Sequence, residues 1–162
     1  MLYPTHDRYV GASSVQFADY RRQRGDQVGL HWRIPASTGR RAVRYVLYDT
    51  NWWKSFVADR LRAPVGDRAS LSLWSAPREQ HQMLAEHVTA EQRVPVEARG
   101  RRVDEWRLKQ PNLDNHLFDC LVGSAVAASM SGVQLAVGDG AAPVRRRIRL
   151  SELQARKRAM AG

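Results

Sequence analysis

Three side chains have the types and positions that metal-assisted cleavage of a phosphodiester requires: Asp49, Asp119 and His116. Asp49 ends the run Ala42 to Asp49, whose β-branched and aromatic residues predict a strand. Asp119 lies three residues after His116 in a helical pattern, so both side chains project from one face. Carboxylates that converge from a strand and a helix could hold two Mg²⁺ or Mn²⁺ ions, which would clamp the attacking and leaving oxygens.

Each of these side chains also has a simpler interpretation. Asp49 precedes a helix, where a negative charge stabilises the positive end of the helix dipole. Asp119 could bond a backbone group, with His116 half exposed. The sequence alone leaves both interpretations open.

The longest helical pattern runs from Asp114 to Met130, and the rest of the chain is organised around it. Asp114 can cap its first turn, and Gly132 stands where a left-handed residue closes a helix. Its predicted apolar face consists of Leu117, Leu121, Ala125 and Ala128. The single cysteine, Cys120, lies inside this apolar helix. It therefore excludes a disulfide within one chain and offers no exposed nucleophile.

The remaining patterns predict an α/β fold, a mixed sheet with helices on both faces. No period is visible in residues 1–27. The predicted strands are Val28–Ile34, Ala42–Asp49, Ala69–Trp74, Arg93–Ala98 and Val103–Lys109, the last two forming a hairpin with Trp106 on its inner face. The predicted helices are Trp52–Leu61, capped by Thr50 or Asn51, and Pro77–Ala90, with Met83, Leu84, His87 and Val88 as its buried face.

A formal charge of +10 and a pI near 10.8 indicate a polyanionic partner, most simply double-stranded DNA. Residues 138–162 are predicted to be a flexible linker and a basic tail, which could grip phosphates or simply be disordered. The candidate nucleic-acid-binding residues are Arg40, Arg41, Lys54, Arg145, Arg146 and Arg147. No apolar run is long enough to span a membrane and no signal peptide is recognised, so we expect a cytoplasmic protein. A phosphate-binding loop and a serine-nucleophile motif are also absent from the sequence.

Two segments resemble motifs of lambda-type phage terminase large subunits. Asn115 to Ala128 resembles the last motif of that family, and Tyr48 to Phe56 is similar to its strand–acid–Asn–helix motif. His31 to Pro35 and Glu105 to Arg107 also sit where the family carries related segments. The resemblance runs from about Tyr3 to Gly132.

The resemblance implies the C-terminal nuclease domain of a DNA-packaging motor, with an RNase H-like fold that would occupy residues 1–137. Such a domain cuts concatemeric viral DNA with two divalent ions held by three acids, and it works with a terminase small subunit and a portal. By position in the motifs, Asp49 would be the second acid and Asp119 the third. His116 would be a ligand or an orienting group.

The family's first acid lies on the first strand of its sheet, and no acid here matches that position: Asp7, Asp19 and Asp26 lie in irregular sequence. We therefore expect an N-terminally truncated nuclease domain, with its first strand and the ATPase domain missing and with weak or no cleavage on its own. Two alternatives are a catalytically silent DNA-binding module, and an interaction protein whose tail docks onto another packaging component.

Overall fold

The centre of the molecule is a four-stranded mixed sheet in the computed structural model, which describes residues 4–36 and 43–133. Its strands are β1 (Thr5–Arg8), β2 (Gln27–Gly29), β3 (Trp32–Ile34) and β4 (Val46–Asp49), in the spatial order β1-β4-β3-β2. Strand β4 pairs in parallel with β1 and antiparallel with β3, which pairs antiparallel with β2. The predicted α/β class with a mixed sheet is confirmed.

Three helices and a separate hairpin complete the fold. They are α1 (Thr50–Arg62), α2 (Arg78–Thr89), α3 (His116–Met130) and the two-stranded sheet of β5 (Glu91–Ala98) and β6 (Arg101–Leu108); a short 3-10 turn spans Phe17–Asp19. Helix α1 contacts α3, β4 and β6, while α2 contacts α3 and β5. Helix α1 is therefore the element that joins the sheet, the hairpin and the last helix.

The core is built around α1 and α3. Trp53 and Val57 of α1 are fully buried, as are Phe118, Val122 and Val126 of α3. The buried residues of α3 are therefore shifted by one position from the predicted apolar face. Leu121 and Ala125 of that predicted face are only partly buried and pack against the edge of the core. The left-handed closure of this helix at Gly132 is confirmed by a φ of 81°.

The start of the chain is more regular than predicted. Residues 5–8 form β1, an exposed edge strand whose residues Thr-His-Asp-Arg show no apolar alternation, so no sequence pattern indicates it. The predicted strand Val28–Ile34 is wrong as a single element, since it is a hairpin that reverses at Leu30 and His31. His31 adopts a left-handed φ of 47°, which allows this two-residue turn.

Two further predictions on the second half of the chain need correction. Residues 69–74 form no strand, and Leu73 and Trp74 are exposed. Helix α2 lies where predicted, but none of its residues is buried: Met83 is exposed, and Leu84, His87 and Val88 are half-buried. The β5–β6 hairpin is confirmed: Arg99 and Gly100 form its turn with positive φ, and Trp106 is buried.

Several predicted features lie outside the described residues. These are the start of the strand at Ala42, the linker and tail at 138–162, and five of the candidate DNA-binding arginines, Arg40, Arg41, Arg145, Arg146 and Arg147. Within residues 4–36 and 43–133, no helix has the length and apolarity needed to cross a membrane.

Candidate functional site

Asp49 is both the last residue of β4 and the N-cap of α1. Its backbone is extended (φ −77°, ψ 101°), and its Oδ1 accepts a hydrogen bond from the Trp52 amide at 3.1 Å. Thr50 and Asn51, which were predicted as alternative caps, are instead the first two residues of the helix. The carboxylate therefore satisfies one of the unpaired amides of the first turn and complements the helix dipole.

The second oxygen of Asp49 faces His31. The Asp49 Oδ2–His31 Nδ1 distance is 3.6 Å, and the imidazole stacks on Trp52 with ring centroids 4.2 Å apart and planes at 8°. The His31 carbonyl accepts hydrogen bonds from the Asp49 amide and from the Trp53 indole. These contacts hold the strained turn at His31 against the start of α1, beside a cavity of about 320 Å³.

Asn51 connects three segments of the chain. It is 1% exposed; its Nδ2 donates to the Val10 carbonyl at 3.1 Å, and its Oδ1 accepts from the Trp106 amide at 2.9 Å. The asparagine of the strand–acid–Asn–helix motif is thus a cross-link between the N-terminal loop, α1 and β6. Both backbone groups would be buried and unsatisfied without it.

A second cluster forms around Lys54, one turn further along α1. The Lys54 Nζ lies 2.5 Å from Glu91 Oε1 and 2.9 Å from Asp119 Oδ1, and Asn115 Nδ2 also donates to Glu91 Oε1. We call these four residues the lysine cluster. Lys54, a candidate nucleic-acid-binding residue, is buried, and its ammonium group contacts two carboxylates.

Around Asp119 the structure differs from the predicted surroundings in four ways. The Asp119 side chain is 44% exposed, although its helix was expected to be largely buried. His116 is exposed and lies beside Asp114, at 3.6 Å, and beside the His87 ring. Cys120 is exposed rather than enclosed by the apolar helix. The expected capping by Asp114 is also absent, since α3 begins at His116 after Asn115.

Tyr48 lies between the sheet and α3. Burial, followed by the negative charges of Asp7, Asp119 and Cys120, raises the pKa of its phenol to about 12. Asp7 pairs with Tyr48 in the parallel β1–β4 register, so their side chains point to the same side of the sheet. An acid of the first strand therefore lies on the Asp119 side, although Asp7 was predicted to be in irregular sequence.

The described residues do not fit the divalent ions that the predicted chemistry needs. Among them, no group of three or more His, Cys, Asp or Glu side chains could hold a metal ion. The contacts of Asp49 are with His31 and the start of α1, whereas the carboxylate of Asp119 pairs with the Lys54 ammonium. The two acids thus belong to separate clusters, and the acid nearest the Lys54–Asp119 ion pair is Glu91.

Glu91 was not identified from the sequence. It is buried at the junction of α2 and β5, where the local pattern shows only a charged residue opening a strand. The sequence offers only a weak indication of its burial, namely that Glu91 directly follows Val88, Thr89 and Ala90 at the end of α2. Its partners come from α1 and from the residue before α3, and no spacing rule connects those segments.

Residues 29–139 match the family model described as the endonuclease domain of the terminase large subunit gpA. The match spans more than half of the chain and includes β4, α1, both clusters and α3. No curated protein and no solved structure matches the sequence significantly.

Proposed function

Because the chain belongs to the family of terminase large subunit gpA endonuclease domains, we propose that it acts on double-stranded viral DNA as a nuclease module of the packaging terminase. The family match carries this proposal. It covers both sequence motifs and the packed unit of β4, α1 and α3 on which Asp49 and Asp119 lie.

An RNase H-like fold is part of the proposal. The support is a mixed sheet in which the central strand β4 has one parallel and one antiparallel neighbour, with helices packed around it. The acid at the end of β4 and the acid on α3 then occupy the positions of the second and third acids in the motifs. Terminase small subunit and portal are the proposed protein partners, again on family membership.

Divalent ions are the cofactors that this family implies, and when bound they supply charge neutralisation at the cleaved phosphodiester. In the described part of this chain, a lysine rather than a metal ion contacts the carboxylates. The single ammonium of Lys54 forms ion pairs with the carboxylates of Asp119 and Glu91. For this reason we propose that the chain on its own cleaves DNA weakly or not at all.

DNA affinity is expected from charge. Lys and Arg number 26 against 16 Asp and Glu. Neutralising phosphates releases counterions, so the affinity should fall steeply as the salt concentration rises. The proposed contacts include Arg40, Arg41 and the Arg145–Arg147 run.

The test combines duplex-DNA binding with nicking of supercoiled plasmid in Mn²⁺ by wild type, Asp49→Asn and Asp119→Asn. Asp114→Asn is the matched control, because Asp114 is an exposed acid just before α3. We expect salt-sensitive binding by all four proteins. We expect nicking by wild type and by Asp114→Asn to be weak or absent.

Two results would contradict the proposal. One is the absence of duplex binding at low salt, which would remove DNA as the partner. The other is strong nicking that persists in Asp119→Asn, because the acid of the α3 motif would then play no part in it. Duplex binding with no nicking by any protein would favour the DNA-binding module over a nuclease.

A further inference from the structure

The lysine cluster has the arrangement of a cation site whose cation belongs to the protein itself. One ammonium group contacts an oxygen of each of two carboxylates, at 2.5 and 2.9 Å. The same ammonium nitrogen lies over the Phe118 ring, 5.5 Å from its centroid. A charge held this closely by two acids is in the position that a metal ion would take between them.

The second oxygen of Glu91 makes the site more than an ordinary ion pair. The Glu91 side chain is 3% exposed, and its Oε2 has no hydrogen-bond partner among the described residues. A buried carboxylate oxygen without a partner is costly, and it can accept another donor or coordinate a cation. Asp119 is partly exposed, so the cluster also has a side open to solvent.

We propose that the Lys54 ammonium fills the cation position between Glu91 and Asp119, and that this pair takes no Mg²⁺ or Mn²⁺ while Lys54 is present. A divalent ion in contact with either carboxylate would lie close to the ammonium and be repelled by it. Removing the lysine charge leaves the oxygens of two carboxylates, which are hard ligands of the kind that Mg²⁺ and Mn²⁺ prefer.

This inference does not depend on nuclease activity. The contacts of Lys54 are with side chains of the chain itself, and the readout below is metal binding rather than cleavage. A chain that failed to nick DNA could still show the predicted exchange of lysine for metal, and an active nuclease could fail to show it.

The experiment is Mn²⁺ titration, followed by electron paramagnetic resonance of the unbound ion and by thermal unfolding. The proteins are wild type, Lys54→Met, and Lys54→Met combined with Asp119→Asn. Lys109→Met is the control, since Lys109 is exposed and lies outside the cluster. We expect Lys54→Met to bind Mn²⁺ at least about tenfold more tightly than wild type.

Mn²⁺ should raise the melting temperature of Lys54→Met and leave wild type and Lys109→Met unchanged, because a ligand stabilises only a protein that binds it. In the variant that combines Lys54→Met with Asp119→Asn, Mn²⁺ should no longer raise the melting temperature. A folded Lys54→Met without tighter Mn²⁺ binding would overturn the proposal. So would wild-type binding of Mn²⁺ that Asp119→Asn abolishes.

Lys54→Met also leaves two buried acids without their cation, so it could fail to fold. Lys54→Gln then replaces it, because an amide can still donate to one carboxylate while lacking the charge. The comparison of wild type with Asp119→Asn needs no lysine variant at all, and Mn²⁺ binding that depends on Asp119 in that pair contradicts the inference by itself.

Discussion

Asp49 and Asp119 carry the same charge and lie in the two segments that resemble terminase motifs, but their partners come from different distances along the chain. Asp49 bonds the amide of Trp52, three residues later, as helix N-caps do. Asp119 pairs with Lys54, which lies on another helix and also contacts Glu91 from the hairpin. One acid is held by local backbone geometry and the other by the tertiary fold.

The difference determines what each acid can do. The oxygens of Asp49 are used by a helix terminus and approached by His31, so this carboxylate positions α1 against the turn at His31. Asp119 is partly exposed and pairs with the Lys54 ammonium, a cation that the chain itself supplies. The Asp49 end of α1 is therefore structural in its contacts, whereas the lysine cluster holds a buried carboxylate oxygen that has no hydrogen-bond partner among the described residues.

The strongest test of the structural role of the Asp49 end is Asn51→Ala. This change removes two hydrogen bonds and leaves the Val10 carbonyl and the Trp106 amide buried without partners. We expect a loss of about 2–6 kcal/mol in the free energy of unfolding, at about 1–3 kcal/mol for each of the two unsatisfied buried groups. Urea denaturation measures it, with Asn112→Ala as the control, since Asn112 is exposed. An effect no larger than that of the control would show that Asn51 does not hold the three segments together.

Substitution of the two acids should change the free energy of unfolding less than Asn51→Ala does, and by different amounts for Asp49 and Asp119. Asp49→Ala removes an N-cap, which typically costs about 1 kcal/mol, whereas Asp49→Asn keeps the cap. Asp119→Ala removes a half-exposed ion pair and leaves Lys54 bonded to Glu91, so we expect a loss below about 1 kcal/mol. The free energies of unfolding of the three variants decide the order. A larger loss for Asp119→Ala would contradict the distinction between a structural and a partly exposed acid.

The sequence predicted well the features that depend on neighbouring residues. The hairpin, the closure of α3 at Gly132 and the strand–helix junction at Asp49 each follow from turn chemistry or hydrophobic period, and each is confirmed. The limits of α1 and α2 lie within about two residues of the prediction, a usual error for helix ends.

The features that the sequence did not predict have a common physical reason. Strand β1 is recognised only through its pairing with β4, and the turn at His31 only through the contacts that hold its left-handed backbone. Lys54 looks like one of several basic residues on a helix until α3 and the hairpin place carboxylates beside it. Such non-local contacts leave no period in the sequence, so the candidate site could be located by motif but its electrostatics could not.

The smallest predicted effect is spectroscopic, and it distinguishes the surroundings of the two acids. Burial and the charges of Asp7 and Asp119 raise the pKa of Tyr48 from its ordinary value of 10.0 to about 12, and Asp49 is not among the causes. A raised phenol pKa stabilises the fold below pH 10, and this contribution is lost as the pH rises from 10 towards 12. Absorbance titration of tyrosinate, with Tyr48→Phe to identify the signal, measures the pKa. We expect Asp119→Asn to lower it and Asp49→Asn to leave it unchanged. Equal shifts in the two variants would mean that both acids act on Tyr48, and the two clusters would then share one electrostatic environment.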